Sequence, residues 1–333
     1  MSPLAACREG IRRVAAAPLI LAGVWLMTTL VGLPLALALR GEISSHLGAS
    51  LASEPAANGV NFEWMQEFAD QSTGLGATLR PTILGFGAVL DNLSAFVDYT
   101  ARPVFIVGAA GTYVVLWLFV AGGIIDRYAR DRPTGAQGFF AASGVFCFRF
   151  FRLGLAMLVV YGLLFGYLHP WLFDRMYPRL TREINIEPTA FLIRAGLYLI
   201  FGLALGACNL VFDYAKVRAV VEDRRSALSA LTSGLRFVRG NAGAAVVLYL
   251  LDVGLFAIVL AAYGAVAPGA GRPGWTMWVG FAIAQLYITA RLWVKLVFWA
   301  SETALFQGRL AHAGYVAAAQ PVWPDSPAAE AIT

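Results

Sequence analysis

Six predominantly apolar stretches, each of bilayer length, constrain this chain more than anything else in it. They cover about 16–39, 103–125, 153–173, 189–212, 242–266 and 275–299. A helix rising 1.5 Å per residue needs about 20 apolar residues to cross hydrocarbon. No water is available there to satisfy the backbone, so a continuous apolar run of that length must close its hydrogen bonds within itself, as a helix. The predicted fold is therefore all-α: a polytopic membrane bundle of six transmembrane helices. Composition agrees. Hydrophobic residues make up 59% of the 333 and charged residues 14%, with a mean hydropathy of +0.67; a soluble domain carries about 25% charged residues.

Lysine and arginine sort the connections into two classes. Arg8, Arg12 and Arg13 precede the first span. Arg127, Arg130, Arg132, Arg149 and Arg152 lie between the second and third. Lys216, Arg218, Arg224, Arg225, Arg236 and Arg239 lie between the fourth and fifth. The alternate connections are poorer in cations: 41–100 holds Arg80 against seven acids, 267–274 holds Arg272, and 174–188 is mixed, with Arg175, Arg179 and Arg182 offset by Asp174, Glu183 and Glu187. The positive-inside bias thus puts both termini in the cytoplasm, the N-in/C-in topology of a multi-pass protein of the bacterial cytoplasmic (inner) membrane. The net charge of +5 sits beside apolar runs rather than along a stripe, which argues against nucleic acid as a partner. Arg12-Arg13 with Ala36-x-Ala38 also fits a cleaved signal peptide, but the uncharged run Val14 to Leu39 is longer than a usual signal core, so a retained span is preferred.

A repeat accounts for much of the basic sequence. Adding 87 to Asp126, Arg149, Phe150 and Arg152 gives Asp213, Arg236, Phe237 and Arg239 without a gap. Each copy, about 103–173 and 189–266, reads as an incoming span, an Asp-bearing segment, an amphipathic elbow helix and an outgoing span. The elbows are expected in the inner interface, with Phe139, Phe140, Val145 and Phe148, or Leu228, Leu231 and Leu235, dipping toward acyl chains. Arg149, Arg152, Arg236 and Arg239 would hold lipid headgroups or pair with Asp126 and Asp213; Lys216 is a local alternative partner for Asp213. Half-copies at the two termini, "CREGIRRVAAAPLILAG" and "SETALFQGRLAHAGYV", complete three hairpin units within a membrane domain of 1–310.

The elbow segments "ALSALTSGLRFVRGNAGAAVVLYLL" and, less closely, 138–164 resemble those of uncharacterised bacterial six-span membrane proteins, and are similar to the membrane portion of some glycerophosphodiester phosphodiesterases. The resemblance covers about half the chain and implies an architecture without an activity. No phosphodiesterase domain accompanies it: His46, His169 and His312 are isolated, and no carboxylate cluster stands with them.

Inside the spans, charge is expensive, about 2.5–3.5 kcal/mol for a lone ion at mid-bilayer. Asp252 falls about 15 Å into the fifth span, and Arg291, counted back from Trp299, about 12 Å into the sixth. These matched depths predict an intramembrane ion pair of Asp252 with Arg291, with Lys295 nearby. Arg194 should snorkel outward, and Asn209 and Gln285 should hydrogen-bond between helices. Gly162-x-x-x-Gly166 and Gly202-x-x-x-Gly206 predict close helix packing between spans three and four, or a homodimer through one of them. The insertion 41–100 should form two or three short helices capping the outer face, using Phe62, Trp64, Met65, Phe68, Ile83, Phe86, Leu90, Leu93 and Val97. The tail 311–333, rich in Pro, Ala and Ser, should be disordered.

Cys7, Cys147 and Cys208 are far apart and form neither a metal pattern nor a disulfide framework. No nucleotide-binding, hydrolase or zinc motif occurs, so neither a cofactor nor a metal is expected, and no catalytic residue stands out. The expected role is a non-enzymatic scaffold, or a subunit that binds lipid headgroups or a membrane-protein partner. The alternative is a permease-like transporter with a polar path near Asp252 and Arg291.

Overall fold

The structure, a computed structural model, describes residues 1–48, 50–58, 61–79, 85–100, 103–269 and 274–310. Ile83, Arg80, Arg272, His312 and the tail 311–333 fall outside them. Among the described residues the chain is helical, with no strand. Six helices are long and apolar enough to cross a membrane: α2 (Pro18–Leu47), α6 (Val104–Arg130), the run opened by α7 (Ala136–Leu163), α9 (Glu187–Val221), α11 (Ala242–Val266) and α12 (Trp275–Arg309). Between and before them lie α1 (Pro3–Ala15), α3 (Ser53–Ala57), α4 (Phe62–Gln71), α5 (Phe86–Val97), α8 (Tyr177–Thr181) and α10 (Ala227–Gly240).

The basic segments gather at one end of the bundle. Arg12 bridges to Asp131 in the α6–α7 turn, and Arg149 bridges to Asp223 after α9. Arg152 donates to the Arg225 carbonyl (3.2 Å). Arg13 donates to the Tyr128 carbonyl and to Gln307 near the end of α12, both at 2.8 Å. These contacts put the N-terminal helix, both basic loops and the end of α12 on one side, the arrangement that the cation count requires.

The elbows take two forms. α1 ends at Ala16–Ala17, before Pro18 opens α2, and α10 ends at Gly240–Asn241, where Asn241 leaves helical geometry (φ −130°, ψ 31°). The elbow expected at 138–148 is not separate: α7 runs unbroken through Arg149 and Arg152 into the third span. The reason is local. "RFFRLGL" contains no Pro or Asn to stop a helix, whereas the other two junctions carry Pro18 and Gly240-Asn241. α1 packs along α12, α10 along α9, and the first half of α7 along α6. Small residues permit each approach: a Cβ on Gly10 would lie 2.7 Å from the Ser301 nitrogen, one on Gly234 2.9 Å from the Ala215 nitrogen, and one on Gly122 2.6 Å from the Phe146 Cβ.

Signal cleavage after Ala38 would remove α1, a helix built into this core: Ala6 is fully buried and Arg13 nearly so. Glu9 clamps the charged face of α1, accepting from Arg12 (2.6 Å) and Arg13 (2.9 Å). The Arg12 bond, above all, holds the Glu9 carboxyl down at about 2 against an ordinary 4.5. A depressed carboxylate stabilises above its unfolded pKa and loses that contribution as pH falls through the folded one. The contribution of Glu9 to stability is therefore expected to be present at pH 5 and to be lost between roughly pH 4.5 and pH 2. Glu9→Gln should flatten that part of the melting-temperature profile in detergent.

At the opposite end, the insertion forms its own cap. Trp64, Met65 and Phe68 on α4 bury against Ile43 and Leu47 of α2, and the Trp64 indole donates to His46 Nδ1 (3.0 Å). Phe62, expected in this cluster, is 69% exposed, because N-capping by Asn61 starts α4 with Phe62 on its outer side. α5 lies across the outer ends of α7, α9 and α11: His169 Nε2 meets the Val97 carbonyl (3.0 Å), and Phe86 packs on Tyr263. Asp98 accepts from Tyr198 and from Ser94 (2.8 Å), with Arg194 at 3.9 Å. The Tyr198 bond in particular draws the Asp98 carboxyl below its usual range. Arg194 thus reaches outward, to a partner on the cap.

Candidate functional site

Asp252 and Arg291 do not pair. Asp252 is fully buried toward α1, where the Cys7 thiol donates to its Oδ1 (3.8 Å). Burial first, and Asp252 beside it, push the Cys7 thiol up. The expectation failed on a ruler. It ended the sixth span at Trp299, but α12 continues to Arg309, ten residues or about 15 Å further. Asp252 is therefore level with the part of α12 that packs on α1, and Arg291 stands well above it, halfway along the helix.

The glycine motifs also lie elsewhere than expected. Among the described residues, beyond its own helix neighbours, nothing comes within 4 Å of a Cβ built on Gly162, Gly166 or Gly202, and Gly206 meets only the Tyr249 ring (3.7 Å). Spans three and four join instead through rings and one polar bond: Phe165 on Phe201 with centroids 5.1 Å apart, and Tyr161 donating to Asn209 (2.7 Å). Bulky aromatics at these positions hold the backbones apart, so the glycines turn outward. Gln285, like Asn209, does bond between helices, accepting from Trp25 (3.1 Å).

Neither Asp126 nor Asp213 pairs with the repeated arginines. Each closes locally, Asp126 with Arg130 (2.8 Å) and Asp213 with Lys216 (2.6 Å), because a helix presents its own i+3 or i+4 cation first. Arg149 and Arg152 bind across to the α9–α10 connection. Arg236 and Arg239 are exposed on α10.

What the tertiary structure assembles is a cavity of about 690 Å³ between α6, α7, α9, α11 and α12. Three cations line it, Lys216, Arg291 and Lys295, with the single carboxylate Asp213. Lys216 already neutralises Asp213. Lys295 has no acid within ion-pair distance among the described residues; its ammonium lies 3.5 Å from the centroid of the Trp117 ring and 5.6 Å from that of Trp299. Lys216 approaches the same Trp299 at 5.7 Å. The two indoles meet edge to face, centroids 5.4 Å apart, so packing fixes the cage. A ring face contributes about 0.5–2 kcal/mol to a desolvated cation, less than an anion would. Asn209, Tyr113 and Tyr249 add hydrogen-bonding groups, and Leu118, Leu153, Met157 and Phe256 supply apolar wall. Val114 and Arg291, both exposed, stand at the mouth. Both lie near the middle of their helices, so the cavity reaches the surface between helices rather than at an end of the bundle.

Chemically, the lining suits an anion carrying an apolar tail. Arg291 supplies a bidentate fork, Lys295 and Lys216 point charges, and the wall accepts hydrocarbon. The sequence exposed Arg291 and Lys295 as charges within a span. It gave no sign of Trp117 and Trp299, since aromatic residues at helical spacing read as ordinary core. Comparison with known protein families, with curated proteins and with solved structures finds no match to this chain.

Proposed function

We propose that this multi-pass membrane protein binds the phosphate-bearing headgroup of an anionic phospholipid within its bundle, as a non-enzymatic lipid-binding component of a bacterial cytoplasmic membrane. One observation carries the reading: three cations face a single carboxylate in an apolar-walled cavity that opens sideways into the lipid-facing surface. An unpaired cation at mid-span is costly, and an anionic ligand removes that cost. Arg236 and Arg239 on α10 supply further headgroup contacts at the inner interface, in keeping with the resemblance to six-span proteins with basic elbow helices. The permease-like alternative places a polar path near Asp252 and Arg291. Arg291 lines the cavity and Asp252 does not, which favours a bound anion over that path.

Native mass spectrometry of the protein released from nanodiscs of equimolar phosphatidylglycerol and phosphatidylcholine tests the reading. Retention of phosphatidylglycerol that survives millimolar inorganic phosphate is the expected result. Displacement by inorganic phosphate would identify a free phosphate as the ligand, and equal retention of both lipids would overturn the reading.

A further inference from the structure

Immediately behind the cavity lies a second polar cluster that lipid binding does not use. Glu302 on α12 is 1% exposed, and neither carboxylate oxygen has a hydrogen-bond partner. Tyr214 on α9 is fully buried with its hydroxyl unpartnered. Asp252 on α11, also fully buried, leaves Oδ2 unpartnered. The three come from different helices that meet in one core cluster: Tyr214 shares it with Leu248, one turn before Asp252 on α11, and with Leu305 and Phe306, one turn after Glu302 on α12. Glu302 in turn feels Asp213, Asp252 and Lys216. Sequence explains why this acid is bare. Asp126 and Asp213 have a cation at i+4 or i+3, in Arg130 and Lys216; at those offsets from Glu302 stand Leu305 and Phe306. A carboxylate buried with neither oxygen bonded is tolerated only when neutral.

We infer that Glu302, with Asp252 and Tyr214, forms an occluded proton site, and that its protonation is coupled to anion binding in the cavity through the Asp213–Lys216 pair. This inference rests on the lipid-binding reading. The coupling path is short. Asp213 and Lys216 line the cavity, Tyr214 follows Asp213 on α9, and Lys216 lies in range of Glu302. An ionised Glu302 competes for Lys216 and repels a phosphate, whereas a neutral one does neither. Proton and anion therefore favour each other, and by linkage each raises the affinity for the other. The other acids around α12 are already paired. On α1, Glu9 binds Arg12 and Arg13, and the Cys7 thiol donates to Asp252. On α6, Asp126 binds Arg130, Arg127 reaches the Ala16 carbonyl (3.4 Å) with its Nη1 unpartnered, and the buried Tyr128 hydroxyl is also unpartnered; on α11, Tyr249 faces Glu302 as well. Lys295 on α12 itself is the one rival, since its deprotonation would weaken anion binding in the same direction.

Dihexanoyl phosphatidylglycerol, whose phosphodiester keeps its charge across neutral pH, is a suitable probe. Trp117 and Trp299 in the cavity wall report its binding by intrinsic fluorescence, with the full chain held in detergent micelles. Affinity should fall roughly tenfold or more from pH 6 to pH 9, and binding in weak buffer should take up protons. Glu302→Gln, isosteric and neutral, should bind at high pH as wild type does at low pH, with the slope and the proton uptake largely gone. Asp252→Asn provides a second variant and should reduce the slope. A pH-independent wild type, or an E302Q slope equal to that of wild type, overturns the proton site; the latter result would assign the titration to Lys295. Failure of the lipid reading looks different: no fluorescence response to the probe at any pH.

Discussion

The double variant Arg291→Ala, Lys295→Met is expected to lose phosphatidylglycerol while keeping its fold. Each cation removed deletes a charge-assisted contact of about 1.5–3 kcal/mol, so the pair together should weaken binding by roughly a hundredfold or more. The stability change should run the other way or be absent. Lys295 has no internal acid to orphan, and a methionine of similar length can fill the space over Trp117 and Trp299. Lys295→Arg, which restores charge, should recover part of the binding. A variant that melts lower and binds normally would show that Lys295 is a structural strut held by the indoles, and would remove the case for an anion site.

Substituting Gly10 by Leu should be the most disruptive single change outside the cavity. Its Cβ would meet the Ser301 hydroxyl and, with it, backbone that cannot rotate away, at 2.7 Å from the Ser301 nitrogen and 2.9 Å from the Ser301 Cα. Overpacking of this kind costs about 1–3 kcal/mol where neighbours can shift and more where they cannot. α1 should separate from α12, opening the buried face that carries Cys7 and Ala6. A lowered melting temperature and faster alkylation of Cys7 in detergent would register this. Gly162→Leu is the matched control: nothing lies within 4 Å of that Cβ, so the single chain should be unaffected. A destabilised Gly162→Leu protein would instead place that glycine in a contact between copies.

The sequence made the spans legible because the signal is local. Twenty apolar residues in a row exclude every structure but a helix in lipid, whatever the neighbours do. The cation sorting of the loops is equally local, and the Arg12–Asp131 and Arg149–Asp223 bridges put the basic segments at one end as that sorting requires. Helix stops were readable where Pro18 or Gly240-Asn241 marked them. They were misread at 149–154, where only the arginines hinted at a boundary.

Which charges meet was settled by other means. Asp252 was matched to Arg291 from distances counted along two separate helices. An error of one helix end, Trp299 for Arg309, displaced the match by about 15 Å and hid the real neighbour on α1. The glycine pairs failed similarly: spacing establishes that small residues share a face, but not what that face opposes. The cavity draws on five helices, and Glu302 stands bare because of what packs around it as much as for want of a cation on its own helix. Span number, helix type and sidedness follow from solvent preference and backbone chemistry, which each segment carries alone. The ion partners, the cation–indole cage and the unpartnered acid depend on the rotation and depth of one helix against another. Those are fixed only when side chains interlock across the bundle.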